Sequence, residues 1–334
     1  MDLTTVVFII VILFAIIFEY INGFHDSANA IATVVSTKAL SPRQAIVYAA
    51  ILNLVGAMLG TNVAKTIGGG IVDAGSVTQT VIACALLGAI IWNLFTWYYG
   101  IPSSSSHALI GGLMGAGIAH AGFHVVKVAG LIEKIIIPML TSPVLGIMVG
   151  FMIMLSFLWI FFKSNPEIVN RNFKKLQLIS SGFLALSHGS NDAQKTMGII
   201  TLLLLSRGYI HSMTVPFWVI LLCALTMAMG TMAGGWKIIK TLGSKIIKVK
   251  PIHGFAAEVS SASIILTASH FGIPVSTTHI ISTSIMGVGS TQRASAVRWG
   301  IVGNIVTAWV VTIPACMFLS AVSYTLVAKI VHLF

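Results

Sequence analysis

Long apolar runs constrain the fold of this chain more than any other feature of its sequence. A continuous apolar stretch of about 18 residues or more predicts a transmembrane helix. The first run, Met1–Ile21, has no basic region before it, so we expect it to be kept as a span and not removed as a signal peptide. Similar runs cover Ala45–Gly60, Val77–Tyr99, Pro138–Phe162, Leu178–Ser206, Val215–Gly235 and Gly300–Ala328. The sequence therefore predicts an all-α polytopic protein of the cell membrane.

The charged residues and cysteines exclude other classes of protein. Only 8% of the residues are charged, and the net charge is +11. The basic residues lie between the apolar runs, as the positive-inside rule predicts, so we expect lipid and not nucleic acid as the partner. Cys84, Cys223 and Cys316 lie inside apolar runs without the spacing of metal ligands, which predicts small core residues and no bound cofactor.

Two short polar motifs each occur twice within this apolar sequence. Gly23–Ala30 has a counterpart in Gly189–Thr196, and Gly100–His107 has one in Gly272–His279. The two motifs keep the same order at nearly the same spacing, which predicts an internal duplication typical of secondary transporters. We expect a first transmembrane repeat over residues 1–162, a cytoplasmic linker over 163–176 and a second transmembrane repeat over 177–334.

The basic residues also predict how the repeats are oriented. If each half crosses the membrane five times, 13 of the 19 lysines and arginines lie on one side and five on the other, with Lys195 inside the membrane. If the segments after each Gly-Ile-Pro dip in and return, the split is 11 against seven. The stronger bias favours an odd number of crossings per half, and hence inverted repeats with both termini outside.

Broken helices are expected at three places. A single helix from Leu3 to Thr37 would be about 50 Å long, against roughly 30 Å of hydrocarbon, so a break is expected at Asn22-Gly23. Breaks at Pro102 and Pro274 would let the serine motifs meet the aspartate motifs inside the membrane. The repeats are therefore expected to contain broken helices or half-helix hairpins.

The serine motifs have the composition of an oxyanion site. Proline followed by Ser or Thr is typical of a helix start, where free N–H groups and the positive end of the helix dipole attract an anion. The alternative is an ordinary helix cap in a re-entrant turn. The candidate substrate ligands are Ser104, Ser105, Ser106, Ser276, Thr277 and Thr278.

Asp26 and Asp192 lie in register in the other motif pair. A carboxylate in a membrane segment costs about 3 kcal/mol or more, so it usually has a partner and a function. Two carboxylates would repel an anion unless a cation accompanies it, which predicts co-binding of Na⁺, H⁺ or a divalent metal with the substrate. Lys195, three residues after Asp192, could pair with it or contact the substrate directly.

The sequence allows more than one role for each of four further titratable residues. His107 and His279 end the serine motifs and are either hydrogen-bonded core residues or proton or substrate ligands. Glu19 and Glu258 have no counterpart in the other half, and either could bind a coupling ion or a proton.

The sequence resembles a known family at these motifs. The segments Asn22–Ala30 and Ser187–Gly198 resemble the paired signatures of the inorganic phosphate transporter (PiT) family, and Gly272–His279 resembles another stretch of it. The resemblance covers both halves. It implies a phosphate symporter with inverted repeats and a central site, driven by Na⁺ in some members and by H⁺ in others, and it implies no enzymatic activity.

Residue by residue, the resemblance assigns candidate ligands. Asn29 and the runs Ser104–Ser106 and Ser276–Thr278 become candidate substrate ligands, to which the spacing from Asp192 adds Lys195. Asp26 and Asp192 become candidate ligands of the coupling cation together with His25 and Asn191. The Phe24-His25 pair, where Ala-Asn is common, is similar to the bacterial low-affinity branch and favours H⁺ with metal phosphate, Mg²⁺ being one such metal. Na⁺ coupling and, less favoured, a passive anion channel are the alternatives. Affinity, stoichiometry and oligomeric state stay open, a homo-oligomer being one option.

An intramembrane hydrolase is the remaining class. A serine, His107 and Asp26 could in principle form a nucleophilic site, but the second copy of each motif would have no purpose in an enzyme.

Overall fold

The computed structural model describes residues 3–72 and 77–331. The helices in these ranges are α1 Leu3–Ser36, α2 Pro42–Ala57, α3 Asn62–Gly70, α4 Gln79–Tyr99, α5 Ser105–Ala121, α6 Val128–Leu131, α7 Ile137–Ile160, α8 Pro166–Ser206, α9 Phe217–Ala233, α10 Trp236–Lys240, α11 Pro251–His270, α12 Thr277–Ser290 and α13 Trp299–Val331. One π-helical turn, Ile132–Ile136, joins α6 to α7, and another, Thr241–Lys245, follows α10. Met1 and Asp2, which begin the first predicted span, and residues 332–334 lie outside the described ranges.

The helical lengths confirm an all-α polytopic membrane protein. Among the described residues, four helices are long and apolar enough to cross a membrane, or six if each of two bent pairs forms one span. The bent pairs are α2 with α3, at 70°, and α9 with α10 and its π turn, at 65°. They occupy equivalent places in the two halves. The four single spans are Thr4–Ser36, Gln79–Tyr99, Val128–Ile160 and Trp299–Ile330.

The packing of the helices follows the duplication. Helix α1 packs on α9 of the second half, and α8 packs on α2 of the first. In the same way α5 packs on α13, and α12 packs on α7. The contact of α1 with α9 is thus equivalent to that of α8 with α2, and the contact of α5 with α13 is equivalent to that of α12 with α7. A pseudo-two-fold relation between the two halves requires such pairs of equivalent contacts. The halves are inverted-topology repeats, and each half is completed by helices of the other.

The predicted break at Asn22-Gly23 is wrong. Helix α1 runs without interruption through these residues for 34 residues, and a tilted helix accommodates such excess length. Gly23 instead permits close packing, because a Cβ at Gly23 would lie 2.5 Å from the carbonyl oxygen of Met227 on α9. Its counterpart Gly189 packs equally closely, since a Cβ there would lie 2.1 Å from the carbonyl oxygen of Asn53 on α2.

The segment predicted as a linker, 163–176, is helical from Pro166 onward. Asn165 caps this helix by accepting a hydrogen bond from the Glu167 amide at 2.9 Å. Helix α8 therefore begins before the second predicted repeat and is 41 residues long. The outer turns carry the hydrophilic residues of the segment, and the buried residues begin with Phe173.

The breaks predicted at Pro102 and Pro274 are confirmed. Helix α4 ends at Tyr99 and is capped by Gly100, whose φ of +67° favours glycine, and α5 begins only after Ser104. The second half repeats this geometry, with Gly272 at φ +68° between α11 and α12. Each half therefore contains a helical hairpin whose second arm starts at the hydroxyl cluster.

Candidate functional site

The site is formed where the middles of α1 and α8 meet the starts of α5 and α12. Ser104 and Ser276 cap the two starts by accepting hydrogen bonds from the amides of His107 at 3.3 Å and His279 at 3.2 Å. These two predicted substrate ligands thus serve as helix caps in the structure. The first amides of a helix have no acceptor within the helix itself, and the side chains of the serine and aspartate motifs are buried.

Asp192 and Lys195 form a buried ion pair on α8. The Lys195 ammonium also donates to Ser106 Oγ on α5 and to the Val275 carbonyl at 3.1 Å, just before α12. The second carboxylate oxygen of Asp192 accepts from Thr277 Oγ1 at 2.9 Å. The ion pair therefore joins α8 to both hairpins. Removing one partner of such a pair would leave the other charge buried and uncompensated.

Asn29 makes the corresponding contacts from α1. Its side-chain amide donates to Thr277 Oγ1 at 3.1 Å and to Thr278 Oγ1 at 2.9 Å. Its oxygen Oδ1 is buried without a hydrogen-bond partner among the described residues, as is Ser105 Oγ at the start of α5. Unpartnered buried oxygens are costly. These two atoms are therefore available to a ligand.

His25 and Asn191 stand at equivalent positions and anchor the two long helices differently. His25 Nδ1 lies 2.7 Å from Asp26 Oδ1, and His25 Nε2 lies 3.1 Å from Thr96 Oγ1 on α4. Asn191 instead donates to Ser269 Oγ on α11 at 2.9 Å. Ser269 also lines a cavity of about 310 Å³ between the bend of α2 and α3, α8 and the end of α11. Ser190 and Gln194, which lie two residues on either side of Asp192 along α8, also line this cavity.

Asp26, His188 and Asp192 form a group that could hold a cation. One ligand atom from each lies within 4.8 Å of the other two, and all three residues are buried. The two aspartates of the repeated motif therefore converge, although they are 166 residues apart in the chain. His188 was not among the predicted ligands. The sequence could have indicated it, because His188 lies four residues before Asp192 and residues four apart share a helix face.

The two motif histidines lie beside the site. The rings of His107 and His279 are 4.8 Å apart and edge to face, and His279 stacks on Trp309 of α13 at 3.9 Å. Trp309 Nε1 donates to the Pro102 carbonyl at 3.0 Å. The histidines therefore pack the two helix starts against each other and against α13.

The two unmatched glutamates lie outside this group. Glu19 accepts from Thr196 Oγ1, which links α1 to α8 one to two turns from the aspartates. Glu258 on α11 accepts from Thr33, Gln177 and Ser180, at the other ends of α1 and α8. Both side chains are fully buried. They flank the site on opposite sides along the long helices.

Inverted repeats that enclose a polar site at paired half-helix starts define a secondary transporter. Comparison with known proteins gives the family. The sequence profile of the "Phosphate transporter family" matches residues 22–171 and again residues 163–320. The chain therefore belongs to the phosphate transporter family.

Individual relatives match over nearly their whole length. The chain is 50% identical to a "Probable low-affinity inorganic phosphate transporter" of Rhizobium meliloti (strain 1021), over 93% of each chain. It is 47% identical to a protein of the same description from Bacillus subtilis (strain 168), over 97% of this chain and 98% of that one. A solved structure described as "The sodium-dependent phosphate transporter" superposes with a TM-score of 0.90 at 26% identity, over 97% of this chain and 100% of the other.

Proposed function

We propose that this protein imports inorganic phosphate by cation symport, with H⁺ and a metal phosphate as the favoured cargo. The observation that carries the proposal is the convergence of Asp26, His188 and Asp192 beside two helix starts rich in hydroxyls. Membership of the phosphate transporter family supports the choice of anion.

The helix starts provide the anion-binding part. Helix α5 offers the unpartnered Ser105 hydroxyl, and α12 offers Thr278 together with Thr277, whose hydroxyl donates to Asp192 in this conformation. Amides and hydroxyls at a helix start donate hydrogen bonds to a tetrahedral oxyanion, and the dipole adds favourable electrostatics. Phosphate would lie between the two starts, where both repeats contribute.

The carboxylates provide the cation-binding part. Lys195 balances the charge of Asp192, but an anion next to Asp26 is repelled unless a positive charge enters with it, because buried charges interact with little screening. A divalent metal bound to phosphate, or a proton, would neutralise the carboxylate charge. Transport of the cation would then be coupled to transport of phosphate. His25 and His188 support H⁺, because a ring nitrogen of His25 lies 2.7 Å from an oxygen of Asp26 and one of His188 lies 3.0 Å from an oxygen of Asp192.

Na⁺ coupling is the second candidate, and the sodium dependence of the solved structural neighbour favours it. The two candidates differ in what must be present during uptake. Purified protein in proteoliposomes would be given radiolabelled phosphate under a Na⁺ gradient or an inward H⁺ gradient, each with and without Mg²⁺. Accumulation that requires H⁺ and Mg²⁺ supports metal-phosphate symport. Accumulation with Na⁺ alone assigns the aspartates to sodium, and equilibration without accumulation under any gradient contradicts symport.

A further inference from the structure

Lys195 and Asn29 occupy equivalent positions in the duplicated site. Each stands three residues after the motif aspartate of its own half, Asp192 or Asp26. Both side chains are at least nine-tenths buried, with relative exposures of 2% for Lys195 and 3% for Asn29. One position thus carries a full positive charge and the other a neutral amide. The two halves of the site are therefore equivalent in position here but differ in charge.

The contacts of the two side chains mirror each other. Lys195 on α8 donates to Ser106 on α5 of the opposite half, and Asn29 on α1 donates to Thr278 on α12 at 2.9 Å. Ser106 and Thr278 are themselves equivalent, each directly before the histidine that ends its motif. The same local geometry therefore holds an ammonium on one side and an amide on the other.

The surroundings of the Lys195 nitrogen are those of a cation site. It contacts a carboxylate oxygen of Asp192, the hydroxyl of Ser106 and the main-chain carbonyl of Val275 before α12. Carboxylates and carbonyls freed at helix breaks are the oxygens that hold coupling cations in secondary transporters. An ammonium has three N–H donors, and these three acceptors use all of them. Lys195 therefore has no donor left for the substrate in this conformation.

The equivalent place on the other side lacks a fixed positive charge, because Asn29 stands where the other half has Lys195. The residues that correspond by sequence are Asp26, Asn29 and Ser105. Asn29 Oδ1 and Ser105 Oγ are both buried and unpartnered among the described residues. Ser105 is equivalent in sequence to Thr277, which donates to Asp192, so these oxygens correspond to those around Asp192 and Lys195. A mobile cation could complete this set.

We propose that the Lys195 ammonium is a tethered cation that permanently occupies one of two equivalent cation positions, so that only the Asp26 side takes a mobile cation. The chain then moves one cation fewer per phosphate than a symmetric site would. This inference rests on the proposed cation symport. It gives Lys195 a part in setting the coupling ratio, in place of direct contact with phosphate.

The test replaces the tethered charge by the residue found at the equivalent position. Binding of radioactive Na⁺ to the purified full chain would be counted by equilibrium dialysis at pH 8 for wild type, Lys195→Asn and the control Lys195→Arg. We expect Lys195→Asn to bind one more Na⁺ per chain than wild type, and Lys195→Arg to bind the same number as wild type. An unchanged number in a folded Lys195→Asn variant overturns the proposal.

A folding defect would also be informative. If Lys195→Asn folds in NaCl but not in choline chloride of equal ionic strength, Na⁺ takes the place of the missing Lys195 ammonium, as proposed. If it fails to fold in both salts while Asp192→Asn/Lys195→Asn folds, Na⁺ cannot occupy the position and the proposal is overturned. Phosphate accumulation by wild type is measured separately. Its absence would contradict the symport itself, whatever the Na⁺ count.

Discussion

The Nε2 atom of His188 lies 3.0 Å from Oδ2 of Asp192, one turn further along α8. The same carboxylate oxygen accepts from Thr277, and the other one faces Lys195. His188 Nδ1 lies 3.2 Å from the side-chain oxygen of Asn53 on α2. His188 thus connects the aspartate of the second repeat to the bent helix pair of the first.

Replacing His188 should impair coupling. His188→Gln removes the imidazole from the group with Asp26 and Asp192, and we expect cation-driven phosphate uptake to fall by about 10-fold or more, as for other changes around a bound ion. The initial rate of uptake into proteoliposomes measures this. His211→Gln, in an exposed loop, is the matched control and should transport like wild type. Unchanged accumulation by His188→Gln would remove the histidine from the cation site.

The two aspartates should differ in their effect on stability although both serve transport. Asp192→Asn leaves the Lys195 ammonium buried without its partner, which should lower the free energy of unfolding by about 3–5 kcal/mol. Asp26 contacts the imidazole of His25 and not an ammonium, so Asp26→Asn should destabilise the protein much less. Thermal unfolding in detergent compares the two variants. Both should lose concentrative uptake, and normal accumulation by both would exclude the aspartate pair from the mechanism.

Gly189 should be indispensable for the contact between α8 and α2. A Cβ there would lie 2.1 Å from the Asn53 carbonyl oxygen, so Gly189→Ala must push the two helices apart. Overpacking of this kind costs about 1–3 kcal/mol or more. Gly303→Ala on α13 is the control, because no atom lies within 4 Å of the added Cβ. Melting temperatures that are equal for the two variants would contradict the close packing.

Glu258 should stabilise the contact between α1, α8 and α11 through its two acceptor oxygens. It accepts from Thr33 at 2.6 Å, from Gln177 at 2.9 Å and from Ser180. Glu258→Gln turns one acceptor oxygen into a donor that faces other donors, which should cost about 1–3 kcal/mol.

Thermal unfolding measures this cost, and the exposed Glu133→Gln is its control. A Glu258→Gln variant as stable as wild type would show that the three donors find other acceptors.

Local sequence patterns predicted the elements whose cause is local. The apolar runs predicted the spans, and the Gly-Ile-Pro segments predicted both hairpin tips, because a left-handed glycine and a proline end and start helices by themselves. The break predicted at Asn22-Gly23 was wrong because the role of this glycine depends on a distant part of the chain. A glycine within a helix can serve either a break or a close contact, and only the arrival of α9 beside Gly23 decides between them.

The sequence by itself determined the class of fold, the duplication and the pair of aspartates, since apolar length and repeated motifs do not depend on distant contacts. Tertiary structure decided which groups share the site. His188 joins Asp26 because α1 and α8 pack side by side, and Ser106 reaches Lys195 because the α5 hairpin inserts beside α8. Helix packing between inverted repeats sets these distances, and no spacing along the chain encodes them.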